Sequence, residues 1–254
     1  MLLQYVSDLH LEFPENKSYI RANPILPVGD ILVIAGDLLP FILLEKHKDF
    51  FDYLANNFEQ TYWIPGNHEY YHYDIGLKAP SFCEKIRSNV SLVNNWSLKT
   101  DVAKIIFSTL WTKISEQRQW DIENSMNDFR LIKYNGHRFS YQQYNDLHQT
   151  SLEFIKRELD VSEPDLKKVV VTHHVPTYYQ YPKLYKGSLI SEAFAVELFD
   201  LITHMNPDYW IYGHHHINTP DFNIGNSRIV TNQLGYVQRN EHILFKSDKN
   251  WPNT

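Results

Sequence analysis

Residues 209–216 read YWIYGHHH: a short aromatic and aliphatic run, one glycine, then three consecutive histidines. A run of this length and content, bounded by glycine, reads as a buried strand. The histidines therefore lie at its carboxyl end, where extended alternation sends His214 and His216 to one side and His215 to the other. The same ending recurs four times upstream. LLQYV (2–6) runs into Ser7-Asp8-Leu9-His10, and ILVIA (31–35) runs into Gly36-Asp37. TYWIP (61–65) runs into Gly66-Asn67-His68-Glu69, and KVVVT (168–172) into His173-His174. Ligands of open α/β sheets bind at the carboxyl ends of strands, so these endings point to one shared site. Gly29-Asp30 precedes its run, which assigns Asp30 to the opposite end as a loop residue.

Working outward, apolar residues at three- and four-residue spacing predict helices over 43–58, 140–159 and 191–204, the last closed by Asn206-Pro207. Strands alternating with helices predict a largely parallel sheet covered by helices. Residues 97–110 and 217–246 differ: FNIGNSRIVTN predicts a hairpin turning at Gly-Asn, and with it a second, more antiparallel sheet. No repeat or linker interrupts the chain, so residues 1–254 are expected to form a single domain.

Composition narrows the function. A net charge of −6 gives no basic footprint for nucleic acid or anionic membrane. The lone Cys83 excludes an internal disulfide framework and suits a reducing compartment. The start, MLLQYVSDLH, lacks the pattern of a secretory signal, and no run approaches the ~18 apolar residues of a membrane span. The expectation is a soluble, cytoplasmic protein.

Asp, His and Asn without thiolate make an oxygen–nitrogen site suited to manganese, iron or zinc. The set is larger than one catalytic metal needs, so two divalent ions sharing a carboxylate use it economically. Two such ions outweigh two aspartates and a hydroxide, leaving a field that favours an anionic phosphoester.

In order, D-x-H (8–10), G-D (36–37), G-N-H-E (66–69), His173 and G-H-x-H (213–216) resemble the blocks of the calcineurin-like metallophosphoesterase superfamily. YVSDLHLEF, LWT (110–112), NDFRLI (127–132), THHVPT (172–177) and TNQLGY (231–236) are similar to its bacterial predicted-phosphohydrolase branch. The resemblance implies an α/β fold, a four-layer α/β/β/α sandwich of two mixed sheets flanked by helices. It implies that Asp8, His10, Asp37 and His216 hold one metal, and that Asp37, Asn67, His173 and His214 hold the other. Catalysis would involve Asp37, Asn67 and His68, with a metal-bridging hydroxide attacking phosphorus and His68 facing the substrate. The block after Gly36 reads GDLLPF, without the further Asp and Arg of phosphoprotein phosphatases, so an acid partner for His68 is expected to be missing.

Other residues are weaker. His174 follows the ligand position and is expected behind the ligands or on the substrate rim. Trp111 and Arg130 are further rim candidates, with Asn127 beside them; Arg130 could clamp a phosphate. Tyrosine-rich 70–74 and 177–187 could supply an aromatic rim. His72 reads as a solvated loop residue. The predicted activity is hydrolysis of a phosphodiester or phosphomonoester. A silent metal-binding scaffold and a nuclease are the rivals, and the latter would require a basic groove.

Overall fold

In the computed structural model, which describes residues 1–251, fourteen strands and six α-helices alternate along the chain. The strands are β1 (Leu3–Val6), β2 (Ile31–Ala35), β3 (Gln60–Ile64), β4 (Phe82–Arg87), β5 (Val90–Asn94), β6 (Trp96–Lys99) and β7 (Ala103–Ser108). They continue with β8 (Lys133–Tyr134), β9 (His137–Arg138), β10 (Lys167–Thr172), β11 (Tyr209–Tyr212), β12 (Phe222–Ile224), β13 (Ser227–Thr231) and β14 (Asn250–Trp251). The helices are α1 (Pro14–Ala22), α2 (Lys48–Asn57), α3 (Gln119–Ser125), α4 (Asp128–Leu131), α5 (Tyr141–Asp160) and α6 (Phe199–Met205).

Two six-stranded sheets result, ordered β14-β1-β2-β3-β5-β4 and β12-β13-β11-β10-β7-β6, with β8 and β9 as a separate small pair. In each large sheet four central strands run parallel and an antiparallel strand closes either edge. This corrects the expectation of a second, more antiparallel sheet. The runs at 168–172 and 208–212 belong to the second sheet, and the antiparallel pairing predicted there is confined to the edges. The hairpin at 222–231 turns at Gly225-Asn226 as read.

Alternation along the strands separates three cores. Val33, Ala35, Ile64, Phe107, Val169 and Val171 fill the space between the sheets. Their neighbours Leu32, Ile34 and Trp63 pack outward against Phe51 and Leu54 of α2. On the second sheet Ile106, Val170 and Trp210 pack outward against Phe154 and Ile155 of α5 and Ile202 of α6. Helix, sheet, sheet, helix is the four-layer arrangement expected, because each sheet buries both faces.

Helix α5 matches the prediction; the Gln143 side chain accepts from the Ser140 amide at its start. The other two predicted helices are partly different. Residues 41–47 form a 3₁₀ turn before α2. Of 191–204, only the part from Phe199 onward is α-helical, with a 3₁₀ turn at Ser191–Ala193. The Ala193 carbonyl accepts from the Tyr144 hydroxyl and faces a His214 ring nitrogen, and Ala195 bridges to Val175, so tertiary partners displace the helical ones. Asn206, left-handed at φ 48°, ends α6 before Pro207. Asp30 stands at the far end of β2, accepting from the Leu2 amide. Among the described residues no helix is long and apolar enough to cross a membrane.

Candidate metal centre

The ends of β1, β2, β3, β10 and β11 converge at one side of the two sheets, and the polar residues that follow them meet there. They do not continue the strands. Asp8 (φ 55°), His10 (φ 46°), Asp37 (φ 53°), His214 (φ 81°) and His216 (φ 57°) adopt left-handed backbone. Extended alternation therefore gave the right sides for the wrong reason: each strand breaks into a tight turn that redirects the side chain. Such conformations are costly for residues other than glycine and persist only where surroundings impose them. Here backbone bonds impose them, from the Asp8 amide to Gly36 O and from the His10 amide to Asp37 O.

Asp8, His10, Asp37 and His216 gather their ligand atoms into one group; Asp37, His173 and His214 form a second. Asp37 belongs to both: its Oδ2 lies 3.7 Å from His10 Nε2 and its Oδ1 3.4 Å from His173 Nε2. Asn67 joins the second group, with Oδ1 3.2 Å from His173 Nε2. All seven residues are buried or nearly so.

The donor chemistry fits metal ions. Each histidine of the two groups turns one ring nitrogen outward to an acceptor: His173 to Ala35 O, His10 to Glu12, His216 to Glu241, His214 to Ala193 O. An acceptor at that nitrogen fixes the proton there and leaves the other nitrogen's lone pair pointing inward. The inward nitrogens crowd one another, His10 Nε2 to His216 Nε2 at 2.9 Å and His173 Nε2 to His214 Nδ1 at 3.0 Å. Lone pairs converging among carboxylates are what a cation satisfies. The same field draws protons. Burial pulls both rings down, yet Asp8 and Glu241 carry His216 up to about 10, and Asp37 carries His173 up to about 9. Glycines provide the room: a Cβ on Gly66 would collide with Asp37 Oδ1 and His173 Nε2, and one on Gly36 (φ 88°) with the His173 ring.

Carboxylates behind these residues escaped the sequence reading. Glu69 accepts from the amides of Asp37, Leu38 and Gly66 and from Trp63 Nε1, tying the second and third strand ends together. Asp128 accepts from Asn67 Nδ2 at 2.9 Å, which turns the Asn67 oxygen inward. Glu241 orients His216, and nothing near it in sequence marks it. Glu12 Oε1 lies 2.9 Å from His68 Nδ1, so the acid partner expected to be missing is present. It comes from the first block, where Asp8, His10 and Glu12 continue one spacing of two.

Beside the centre opens a cleft of about 300 Å³. His68, Tyr71, Tyr181, Tyr185, Phe194 and Tyr236 line it, with Asn127 and Arg239. The two tyrosine-rich stretches thus reach the cleft in part, through Tyr71, Tyr181 and Tyr185. Arg239 stacks on Tyr236, 5.2 Å from its ring centre. Three residues expected on the rim or behind the ligands lie off the rim. His174 is enclosed between Thr109 O and the Tyr144 hydroxyl, stacked on His214; burial pushes its pKa down to about 3. Trp111 is core, packed on Phe139, Tyr144 and His174. Arg130 lies on the exposed side of α4, bonded to Asn127 Oδ1, outside the lining. His215 points away from the metal groups toward Tyr212 and Gln233, while exposed His72 is a loop residue as expected.

Protein L509 of Acanthamoeba polyphaga mimivirus, itself uncharacterized, is 32% identical to this chain over 267 residues, covering 92% of this chain and 91% of the relative. A phosphopantetheinyl hydrolase from Mycobacterium tuberculosis shares the fold, with a TM-score of 0.73 at 17% identity over 99% of this chain and 96% of that one. The model of the calcineurin-like phosphoesterase family matches residues 5–218, from β1 to just past His216, and the chain belongs to that family of metal-dependent phosphoric ester hydrolases.

Proposed function

We propose that this protein binds two divalent ions, manganese, iron or zinc, and hydrolyses a phosphodiester carrying a planar or apolar group, such as a nucleotide-like small molecule. Asp8, His10, Asp37 and His216 would hold one ion and Asp37, Asn67, His173 and His214 the other. The observation that carries the reading is Asp37, one carboxylate with an oxygen directed at each group. Bound there, the ions would acidify water and neutralise phosphoryl oxygens.

The chain's own side chains supply the rest. His68 lines the cleft and its amide donates to Asp37 Oδ1, which supports a role for its imidazole in protonating the leaving oxygen. Tyr181, Tyr185 and Tyr236 offer ring faces and hydroxyls for a planar or apolar substituent. Apart from histidines, Arg239 is the one cationic side chain among the described residues lining the cleft. A single arginine suits the one charge of a diester better than the dianion of a monoester. It gives a long nucleic acid no basic track to follow.

The test is a substrate panel on protein whose metal content has been measured. It comprises nitrophenyl phosphate against its bis ester, nucleotides, cyclic nucleotides, phospholipid headgroups and a phosphopantetheinyl ester. The last is included because the structural neighbour bears that name. Two ions per chain with faster turnover of diesters than monoesters is expected. Two bound ions with no hydrolysis of any compound would make the protein a scaffold instead, and one ion per chain would overturn the dinuclear reading.

A further inference from the structure

Glu12 is a buried carboxylate whose hydrogen bonding differs from that of its neighbours. Glu69 and Glu241 each accept backbone N–H groups and so hold loops together. The partners of Glu12 among the described residues are two imidazoles, His10 Nδ1 at 3.1 Å and His68 Nδ1 at 2.9 Å, and both sit on the same oxygen, Oε1. Its Oε2 is buried without a partner. Burying a carboxylate is costly, and one that fastens no backbone gains little fold stability in return. Its geometry therefore serves the two rings it touches.

Those rings face different parts of the site. His10 belongs to the first metal group, whereas His68 belongs to neither metal group that contains Asp37 and lies on the cleft wall. The rings pack edge to face, 4.5 Å between centres. One oxygen thus holds a hydrogen on Nδ1 of both rings, which leaves the Nε2 lone pair of His10 for the centre and turns Nε2 of His68 toward the substrate, where a second ring proton can pass to the leaving oxygen.

We propose that Glu12 is a positioning residue for phosphoester hydrolysis, one carboxylate oxygen aiming both the metal-side ring of His10 and the substrate-side ring of His68. This rests on the dinuclear phosphodiesterase reading above. The coupling has a direction: removing the charge of Glu12 weakens the metal group containing His10 and, separately, leaves His68 a poorer donor to the leaving oxygen. A positioned donor matters little when the leaving group is a stabilised phenolate and greatly when it is an alkoxide.

The experiment compares wild type with Glu12→Gln and Glu12→Ala in metal titrations and in hydrolysis of diesters whose leaving groups range from nitrophenol to simple alcohols. Metal binding is followed by calorimetry with manganese alone, and hydrolysis is measured at saturating manganese. Glu12→Gln is expected to bind one of its two manganese ions about 10–100-fold less tightly than wild type. Its kcat is expected to fall by about tenfold or less on nitrophenyl diesters and by roughly 10²–10³ on alkyl diesters. Acetate is expected to restore part of the loss in Glu12→Ala. A loss that is uniform across leaving groups at full metal occupancy would overturn the proposal, as would unchanged metal affinity. If wild type hydrolyses none of the diesters, the functional reading fails first, so the two failures are distinguishable.

Discussion

Glu69 receives two N–H groups on each carboxylate oxygen, from Asp37 and Gly66 on Oε2 and from Leu38 and Trp63 on Oε1. An amide in its place would turn an NH₂ toward two of those donors, leaving buried N–H groups without acceptors. Glu69→Gln is therefore expected to destabilise the metal-free protein by about 2–4 kcal/mol. Urea unfolding measures this, and an unchanged midpoint would show that the four bonds do not anchor the loops. At this scale the sequence was partly transparent. Asp8, His10, Asp37, Asn67, His173, His214 and His216 were legible because aspartate, asparagine and histidine at strand ends are unusual without a shared partner. Glu12, Asp128 and Glu241 were not, because their partners are distant in sequence: His68 lies 56 residues from Glu12 and Asn67 lies 61 from Asp128. His174 lies behind the ligand-group ring of His214 and off the rim, and adjacency in sequence did not decide between those two places.

Among the elements, α5 shows how a helix supports the site without touching it. Its buried face carries Tyr144, whose hydroxyl meets His174, and His148, whose Nδ1 faces the carbonyls of Leu110 and Trp111. Those two residues are left-handed, at φ 71° and 46°, so His148 braces a strained turn. Burial holds the His148 pKa below the ordinary 6.5, although the two carbonyls pull upward. The unfolded chain then takes up a proton near 6.5 while the folded chain resists it. His148 thus costs no stability above that pH and progressively more as pH falls from 6.5 toward the lowered value. With metal removed, the wild-type urea midpoint is expected to fall relative to that of His148→Gln as pH is lowered from about 7.5 to about 5.5. A difference between the two proteins that does not change with pH would rule out this role. The period of α5 was readable because apolar spacing and burial agree over 20 residues. The segment from 191 to 198 has similar spacing, but its Ala193 carbonyl is taken by Tyr144 and His214, that of Glu192 by Thr112 and that of Ala195 by Tyr178, and no local pattern announces that.

For the molecule as a whole, the centre lies where two sheets meet, beside side-chain packing and the backbone bonds that join Ser7 to Asn232 and Leu234. Asp8, His10, Asp37 and Asn67 follow strands of one sheet, and His173, His214 and His216 follow strands of the other. Ions bound across that seam, as proposed, would stabilise the folded chain by mass action, by roughly 4 kcal/mol at a thousand times the dissociation constant. Chelation is therefore expected to lower the melting temperature by roughly 8–16 °C, reversibly on adding manganese or zinc. A melting temperature indifferent to chelator would mean that no ion bridges the sheets. The layered fold was foreseeable from strand and helix alternation, whereas the division of strands between the sheets depends on pairings that span the chain. That spacing has a consequence for biosynthesis. His10 and His216, whose inward nitrogens touch, are separated by 206 residues, and His216 is oriented by Glu241, later still. A ribosome makes Asp8 and His10 first and their counterparts last. The first metal group does not exist in a nascent fragment that ends before residue 216, so an ion cannot nucleate folding there earlier. An ion bound there would load only once residue 216 had been made.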